Sequence, residues 1–263
     1  MARPIVALLS DFGLRDHYAG TMKGVVLGVC PEATLVDISH DVPPHDVPAG
    51  ALELAACYKY FPAGTIFLVV VDPGVGSARR GLAAEAGDYR FVAPDNGVLS
   101  AVFRETPPKL VVELSERKYA RASVSRTFEG RDRFAPAAGH LAAGIGLTRL
   151  GRRVSDPVTV ALPEAVATGN RVTGEVVRVD GFGNLITNVD RATFERFAAD
   201  GGLSLTVAGH EVPRVVNAYA EAPAGELCAL VGSSDHLEVA VNTGRASEAL
   251  GTGRGAPVEL LRR

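Results

Sequence analysis

At 263 residues, 47% of them hydrophobic and 22% charged, the chain is long enough for one large or two ordinary domains and apolar enough to bury a sizeable core, which argues against disorder. A net charge of -3 leaves no basic footprint for a nucleic acid or a membrane surface. The three cysteines, Cys30, Cys57 and Cys228, are widely spaced, form no metal-ligand pattern and read as reduced thiols; with no signal peptide before the first strand and no apolar run near ~18 residues, a cytoplasmic protein is expected.

Ile5 to Leu9 reads as a first buried strand, ending at Ser10-Asp11-Phe12-Gly13. Tyr18 to Val29 has helical spacing and stops before Pro31. Ala33 to Ile38 is a second strand and Ala49 to Tyr60 a second helix. Thr65-Ile-Phe-Leu-Val-Val-Val71, bounded by Pro62-Ala-Gly64 and Pro73-Gly74, is a continuous β-branched run of the kind buried on both faces of a sheet. Tyr89 to Ala93 is a further strand, followed by the turn Pro94-Asp-Asn-Gly97, and Ala135 to Gly146 is an alanine-rich helix. Strands alternating with helices at this spacing predict βαβ units and a mostly parallel, Rossmann-like sheet.

The pattern changes after about residue 155. Val172 to Val179, Leu203 to Val207, Leu227 to Val231, Leu237 to Val241 and Val258 to Leu261 are short strands separated by turns rich in Gly, Asn and Asp. A small antiparallel barrel is expected there. The expected domains are an α/β domain over residues 1–156, a linker over 157–170 and a β-barrel domain over 171–263.

The β-branched run delivers Asp72 to a loop that carries Arg79 and Arg80. Ligands of open α/β sheets sit outside the carboxyl ends of the strands, so this loop is a candidate site for something small and polar. A strand-end Asp that caps its own turn, with the arginines in solvent, explains the same residues equally well. Asp11, Asp37 and Asp72 all lie at or near strand ends. Asp11 suits a diol, as acidic residues accept hydrogen bonds from ribose hydroxyls in dinucleotide folds, but taken by itself a strand-end Asp is more often a helix cap, a role Asp16 suits as well. No GxGxxG or Walker A run occurs, and Gly74-Val-Gly-Ser77 is too short a glycine signal for phosphate. His40, His45, His140, His210 and His236 are scattered without an HxxxH or HExxH pair, so no metal site is expected. No G-x-S-x-G elbow is present, and the chain does not read as a covalent catalyst.

Four segments, taken together, resemble one family: Leu9-Ser-Asp-Phe-Gly13 with Asp16; Val71-Asp-Pro-Gly-Val-Gly-Ser-Ala-Arg79; Thr127-Phe-Glu-Gly-Arg-Asp-Arg-Phe-Ala-Pro136; and Val179-Asp-Gly-Phe-Gly-Asn-Leu-Ile-Thr-Asn188. Pro94-Asp-Asn-Gly97 and Ser233-Ser-Asp-His-Leu-Glu-Val-Ala-Val-Asn242 add to them, in order along nearly the whole chain. They are similar to the S-adenosyl-L-methionine (SAM) hydroxide adenosyltransferases, or SAM hydrolases, relatives of the SAM-dependent fluorinase and chlorinase. The resemblance implies an α/β domain followed by a β-barrel, and a homotrimer holding SAM between the first domain of one subunit and the second of the next. SAM is then the substrate, with no cofactor. Asp11 is implied at the ribose hydroxyls and Asp16 near the methionine end. Asp180, Phe182 and Asn184 match the segment at the methionine moiety, Ser233 and Ser234 the segment at the adenine, and Phe128 the pocket wall near C5′.

In the hydroxide enzymes an Asp and an Arg seven residues later face the carbon under attack, as Asp72 and Arg79 are spaced here. The halogenating relatives carry uncharged residues on this loop, and the fluorinase has a serine donor where this chain has Gly130 and an extra loop that this chain lacks. Water is therefore expected as the nucleophile. One position departs from the pattern: the His usual in Thr-Phe-His-Gly-Arg-Asp is Glu129. Glu129 stands as a substitute base, as an orienting partner for Arg79, or as a mark of drifted activity; its resting pKa is below that of His. His140, inside a predicted helix, is a poor replacement. A SAM-dependent halogenase and a non-catalytic adenosine- or SAM-binding protein remain the alternatives, with an unrelated two-domain hydrolase behind them.

Overall fold

The computed structural model describes residues 3–199 and 202–262. The chain divides into two compact units, Met1–Ala161 and Leu162–Arg263.

In the first unit β1 (Ile5–Ser10), β2 (Thr34–Ser39), β3 (Ile66–Val70), β4 (Gly81–Ala86), β5 (Tyr89–Pro94) and β6 (Pro108–Glu113) form a six-stranded sheet of order β2-β1-β3-β5-β4-β6. Strands β2, β1, β3 and β5 run parallel, and β4 pairs antiparallel with both β5 and β6. The sheet is thus mixed, parallel on one side and antiparallel on the other. Leu82-Ala-Ala-Glu-Ala86 has helix-forming composition, but a two-residue turn at Gly87 (φ 57°) and Asp88 folds it back onto β5.

Alternation on the central strands separates two cores. Val6, Leu8, Ile66, Leu68 and Val70 pack on one face with Met22 and Val26 of α1 (Tyr18–Val29). Ala7, Leu9, Phe67 and Val69 pack on the other with Leu54 of α2 (Val47–Cys57) and Val102 of α3 (Ser100–Glu105). All five residues of β3 are buried, and each large apolar side chain of this kind contributes about 1.5–3 kcal/mol. Asp46 caps α2 by accepting from the Ala49 amide at 3.0 Å, so the helix starts two residues ahead of its expected Ala49. The alanine-rich helix α4 (Ala135–Ala142) is entered through a π-helical turn, Gly130–Phe134, and is followed by Gly144 at φ 90°. Such turns widen the backbone locally and are frequent at functional sites.

The second unit contains β7 (Val166–Thr168), β8 (Arg171–Val179), β9 (Leu185–Asp190), β10 (Leu203–Val207), β11 (His210–Glu211), β12 (Leu227–Val231), β13 (His236–Val241) and β14 (Pro257–Arg262), with helices α5 (Arg191–Ala198) and α6 (Ala246–Ala249). The antiparallel path is β11-β10-β14-β8-β9-β13-β12, with β7 beside β8. Strand β8 serves two groups: residues 171–175 pair with β14, and residues 176–179 pair with β9. Where it changes partner, the Glu175 amide donates to Asn188 Oδ1 at 2.8 Å, and the absent side chain of Gly174 makes room for that carboxamide. The sheet curls around Val172, Val176, Leu185, Val239 and Leu260. Among the described residues its end strands β11 and β12 do not pair, so it is a half-closed curl in place of the expected barrel. Strand β7 falls in the stretch expected to be linker. No helix of the described residues is long and apolar enough to cross a membrane.

Candidate active site

Strand β3 ends against Asp72, and Asn96 holds that end by donating from Nδ2 to the Val71 carbonyl at 2.8 Å. The loop after Asp72 turns at Gly76, whose φ of 76° suits glycine and whose added Cβ would collide with the Arg126 carbonyl. This return brings Arg79 back onto Asp72 as a two-pronged pair, Nε to Oδ1 at 2.7 Å and Nη2 to Oδ2. Nη2 also donates to Glu129 Oε2 at 2.8 Å, and the guanidinium lies 5.1 Å from the Phe134 ring centroid. Glu129 enters from the π-helical turn, and Arg133 Nη1 stands 3.4 Å from the same Oε2. The three side chains are buried, with 5% of Asp72 and 9% each of Arg79 and Glu129 exposed.

Burial pushes the Asp72 carboxyl above its ordinary range; Arg79 pulls it down and the like charge of Glu129 adds to the rise. A carboxylate that is held by a fixed guanidinium and inclined to accept a proton is suited to general-base work. Arg80 joins this group only through its backbone carbonyl, which accepts from Arg79 Nη1 at 3.2 Å; its side chain turns away. It donates from Nε to Asp95 Oδ2 at 2.6 Å and from Nη1 to Asp156 Oδ1 at 2.9 Å, in an ion-pair group on the other side of the loop.

Asp11 follows β1 in a turn. Its Oδ2 accepts from the His45 amide at 2.9 Å, while Oδ1 has no hydrogen bond among the described residues. His45 sits in the left-handed region at φ 67°, a conformation costing a non-glycine residue about 1–3 kcal/mol and frequent at functional sites. Asp16 is exposed, and α1 carries no side-chain cap, so neither Asp11 nor Asp16 caps that helix. Phe128 is buried in an aromatic group with Phe12 and Tyr18, its ring edge-on to both at 5.9 and 5.1 Å between centroids. Phe12 and Tyr18 were missed in the sequence; the position of Phe12 inside Leu9-Ser-Asp-Phe-Gly13 was the available signal.

In the second unit Asp180 organises its own turn. Oδ1 accepts from the amides of Phe182 and Asn184, each at 2.9 Å, and Oδ2 accepts from Asn184 Nδ2 at 3.0 Å. Asn184 is buried, whereas Phe182 holds its ring 78% exposed at the tip, a large apolar surface for so short a turn. Ser233 and Ser234 occupy the turn from β12 to β13, where His236 Nδ1 donates to the Ser234 carbonyl at 2.7 Å. The preceding Gly232 packs against the buried carboxylate of Glu238, which accepts from the Tyr219 hydroxyl. Burial pushes the Glu238 carboxyl up, and the charge of Asp180 adds to the rise. Neither Glu238 nor Tyr219 was singled out in the sequence. Among the described residues no group of three or more His, Cys, Asp or Glu is placed to hold a metal ion.

Two family models match the chain. The SAM hydroxide adenosyltransferase N-terminal domain matches residues 6–151, and the C-terminal domain of the same family matches residues 174–259. An (R)-S-adenosyl-L-methionine hydrolase of Thermus thermophilus is 41% identical, covering 98% of this chain and 100% of the relative. A fluorinase of Nocardia brasiliensis is 33% identical over 78% of this chain and 77% of the relative. The crystal structure of an uncharacterized conserved protein from Thermotoga maritima superposes with a TM-score of 0.94 at 37% identity, over 98% of this chain and 100% of that one. The chain belongs to the SAM hydroxide adenosyltransferase family.

Proposed function

We infer that this protein is an enzyme that hydrolyses S-adenosyl-L-methionine to adenosine and L-methionine. The observation that carries the reading is 41% identity, end to end, to an (R)-S-adenosyl-L-methionine hydrolase, in a chain that buries Asp72, Arg79 and Glu129 together.

The chemistry asks little of the protein. The sulfonium of SAM departs as a neutral thioether, so neither a metal nor a covalent nucleophile is required. Water attacks C5′ in line with the C5′–S bond; the new C–O bond forms as the C–S pair leaves on sulfur, and the water's second proton passes to a base. We assign that base to Asp72. Arg79 fixes the water and stabilises developing hydroxide, and Glu129 orients Arg79. Positioning contributes on the order of 7 kcal/mol or more in favourable systems. A general base adds roughly 10²–10⁴-fold. Asp11 accepts the ribose hydroxyls, Phe128 walls C5′, and Asp16 lies near the methionine end. Asp180, Phe182 and Asn184 hold the methionine moiety, and Ser233 and Ser234 the adenine. In the assembly proposed, a cytoplasmic homotrimer, SAM bridges the first domain of one subunit and the second domain of its neighbour.

The test is incubation of the purified protein with each sulfonium epimer of SAM in ¹⁸O-water, with and without fluoride or chloride, followed by mass spectrometry of the nucleosides. Adenosine carrying one ¹⁸O at the 5′ position, indifferent to halide, is the expected product. A 5′-halo-5′-deoxyadenosine would make the protein a halogenase. Bound nucleoside without methionine release would make it a binding protein.

A further inference from the structure

The strand-end Asp37 and the histidines His40 and His45 have no task in the reaction, yet His40 and His45 are joined to the turn that carries Asp11, the carboxylate assigned to the ribose. Ser10, the last residue of β1, is fully buried and its Oγ lies 2.7 Å from His40 Nδ1. Across the ring, His40 Nε2 lies 3.0 Å from Asp37 Oδ1 on β2, and Asp37 Oδ2 accepts from Lys23 Nζ on α1 at 2.6 Å. Burial pushes the Asp37 carboxyl up, but Lys23 and His40 outweigh it and hold the group below its ordinary range. An ionised carboxylate only accepts, so Nε2 carries a proton toward Asp37, while Nδ1 shares its hydrogen bond with the Ser10 hydroxyl.

The backbone repeats the same join. The Gly13 amide donates to the His40 carbonyl at 2.7 Å, the Val42 amide to the Ser10 carbonyl at 3.4 Å, and the His45 amide to Asp11 Oδ2 at 2.9 Å. The 40–45 loop is therefore stitched to the 10–13 turn on both sides of Asp11. The order Ser10–His40–Asp37 is that of a hydrolytic triad, but the Ser10 hydroxyl is fully buried and His40 is 3% exposed, so neither meets a substrate.

We propose that His40 is a positioning residue: through Ser10 and Asp37 it holds the 40–45 loop and so sets the direction in which Asp11 presents Oδ1 to the ribose diol. The inference rests on the reading of Asp11 as the ribose ligand. The His45 amide clamps one carboxylate oxygen, and a clamped carboxylate keeps a fixed direction for the other, where a free one would rotate.

The test is calorimetric binding of adenosine and 2′-deoxyadenosine to the full-length protein and to Asp11→Ala, His40→Gln, Ser10→Ala and the Asp11→Ala/His40→Gln pair, with Tm measured alongside. The expected result is a preference for adenosine that Asp11→Ala cuts by roughly tenfold or more, as befits a charge-assisted hydrogen bond. His40→Gln and Ser10→Ala each cut the same ratio by about threefold or more, and the pair cuts it no further than Asp11→Ala alone. A merely structural role lowers Tm and weakens both nucleosides alike, leaving the ratio intact. That outcome, with Asp11→Ala still collapsing the ratio, overturns the positioning role and leaves the ribose reading standing. An intact ratio in Asp11→Ala overturns the ribose reading and this inference with it. Ser10→Ala removes a single oxygen and decides the matter should His40→Gln not fold.

Discussion

Replacing Glu129 by Gln separates the two roles open to that residue. Glu129 Oε2 accepts from Arg79 Nη2 at 2.8 Å, and Arg133 Nη1 stands 3.4 Å from the same oxygen. A Gln carboxamide keeps the shape and one accepting oxygen but loses the charge, while Asp72 keeps both of its bonds to Arg79. The bond stays charge-assisted through the guanidinium but the ion pair loses its second charge, so the substitution costs on the order of 1–1.5 kcal/mol. For a chain of this size that is a Tm decrease of roughly 2–6 °C. Because Glu129 helps to raise the Asp72 carboxyl, its neutralisation lowers Asp72, and the acid limb of the rate–pH profile moves to lower pH. An orienting role predicts kcat within about tenfold of the unaltered enzyme, whereas loss of a general base costs roughly 10²–10⁴. The assay is chromatographic measurement of adenosine formation from SAM between acid and neutral pH, for Glu129→Gln and for Asp72→Asn. A hundredfold loss in Glu129→Gln beside a mild effect in Asp72→Asn would refute the assignment and make Glu129 the base.

Asp132 is fully buried, takes two hydrogen bonds from Arg131 and one from the Ser125 amide, and lies below its ordinary range because these contacts outweigh burial. A depressed carboxyl stabilises above its unfolded pKa and loses that contribution as pH falls through the folded one. Asp132→Asn should therefore cost about 2–3 kcal/mol in urea titrations at neutral pH, with the difference shrinking as pH falls below about 4. Tyr219→Phe leaves Glu238 without its hydroxyl donor at a cost of about 1–3 kcal/mol. Glu238 is already raised by burial and the substitution raises it further, so the folded state binds the proton more readily; the cost should grow from acid to neutral pH, and a pH-independent difference would contradict this. Gly76→Ala places a Cβ against the Arg126 carbonyl at φ 76°; a stability loss of about 1–3 kcal/mol and a fall in kcat with KM little changed are expected from steady-state kinetics, since the loop carries Arg79.

Much of this protein was legible one residue at a time. The apolar runs of β1 and β3 announced strands buried on both faces, because only a parallel-type central strand tolerates apolar residues on every position. Helix α1 spans Tyr18–Val29 as its spacing predicted, since its 3.6-residue period is local. The motif residues and their order pointed to the family. What escaped were features set by distant partners. Leu82-Ala-Ala-Glu-Ala86 is a strand because β5 and β6 flank it, against its own propensity. Arg79 and Arg80 are chemically identical neighbours; the seven-residue spacing favoured Arg79, but it is the turn at Gly76 and the position of Asp95 that hold Arg79 on Asp72 and turn the Arg80 side chain away. Glu129 was open in the sequence to three readings, and only its approach to Arg79 from 50 residues away makes it that residue's partner; Ser10, His40 and Asp37 meet only because β1 and β2 lie side by side. Sequence determines what each side chain is able to do and where its own strand or helix begins; the tertiary structure alone chooses its partners, because ion pairs and hydrogen bonds form over a few ångströms of space and take no account of distance along the chain.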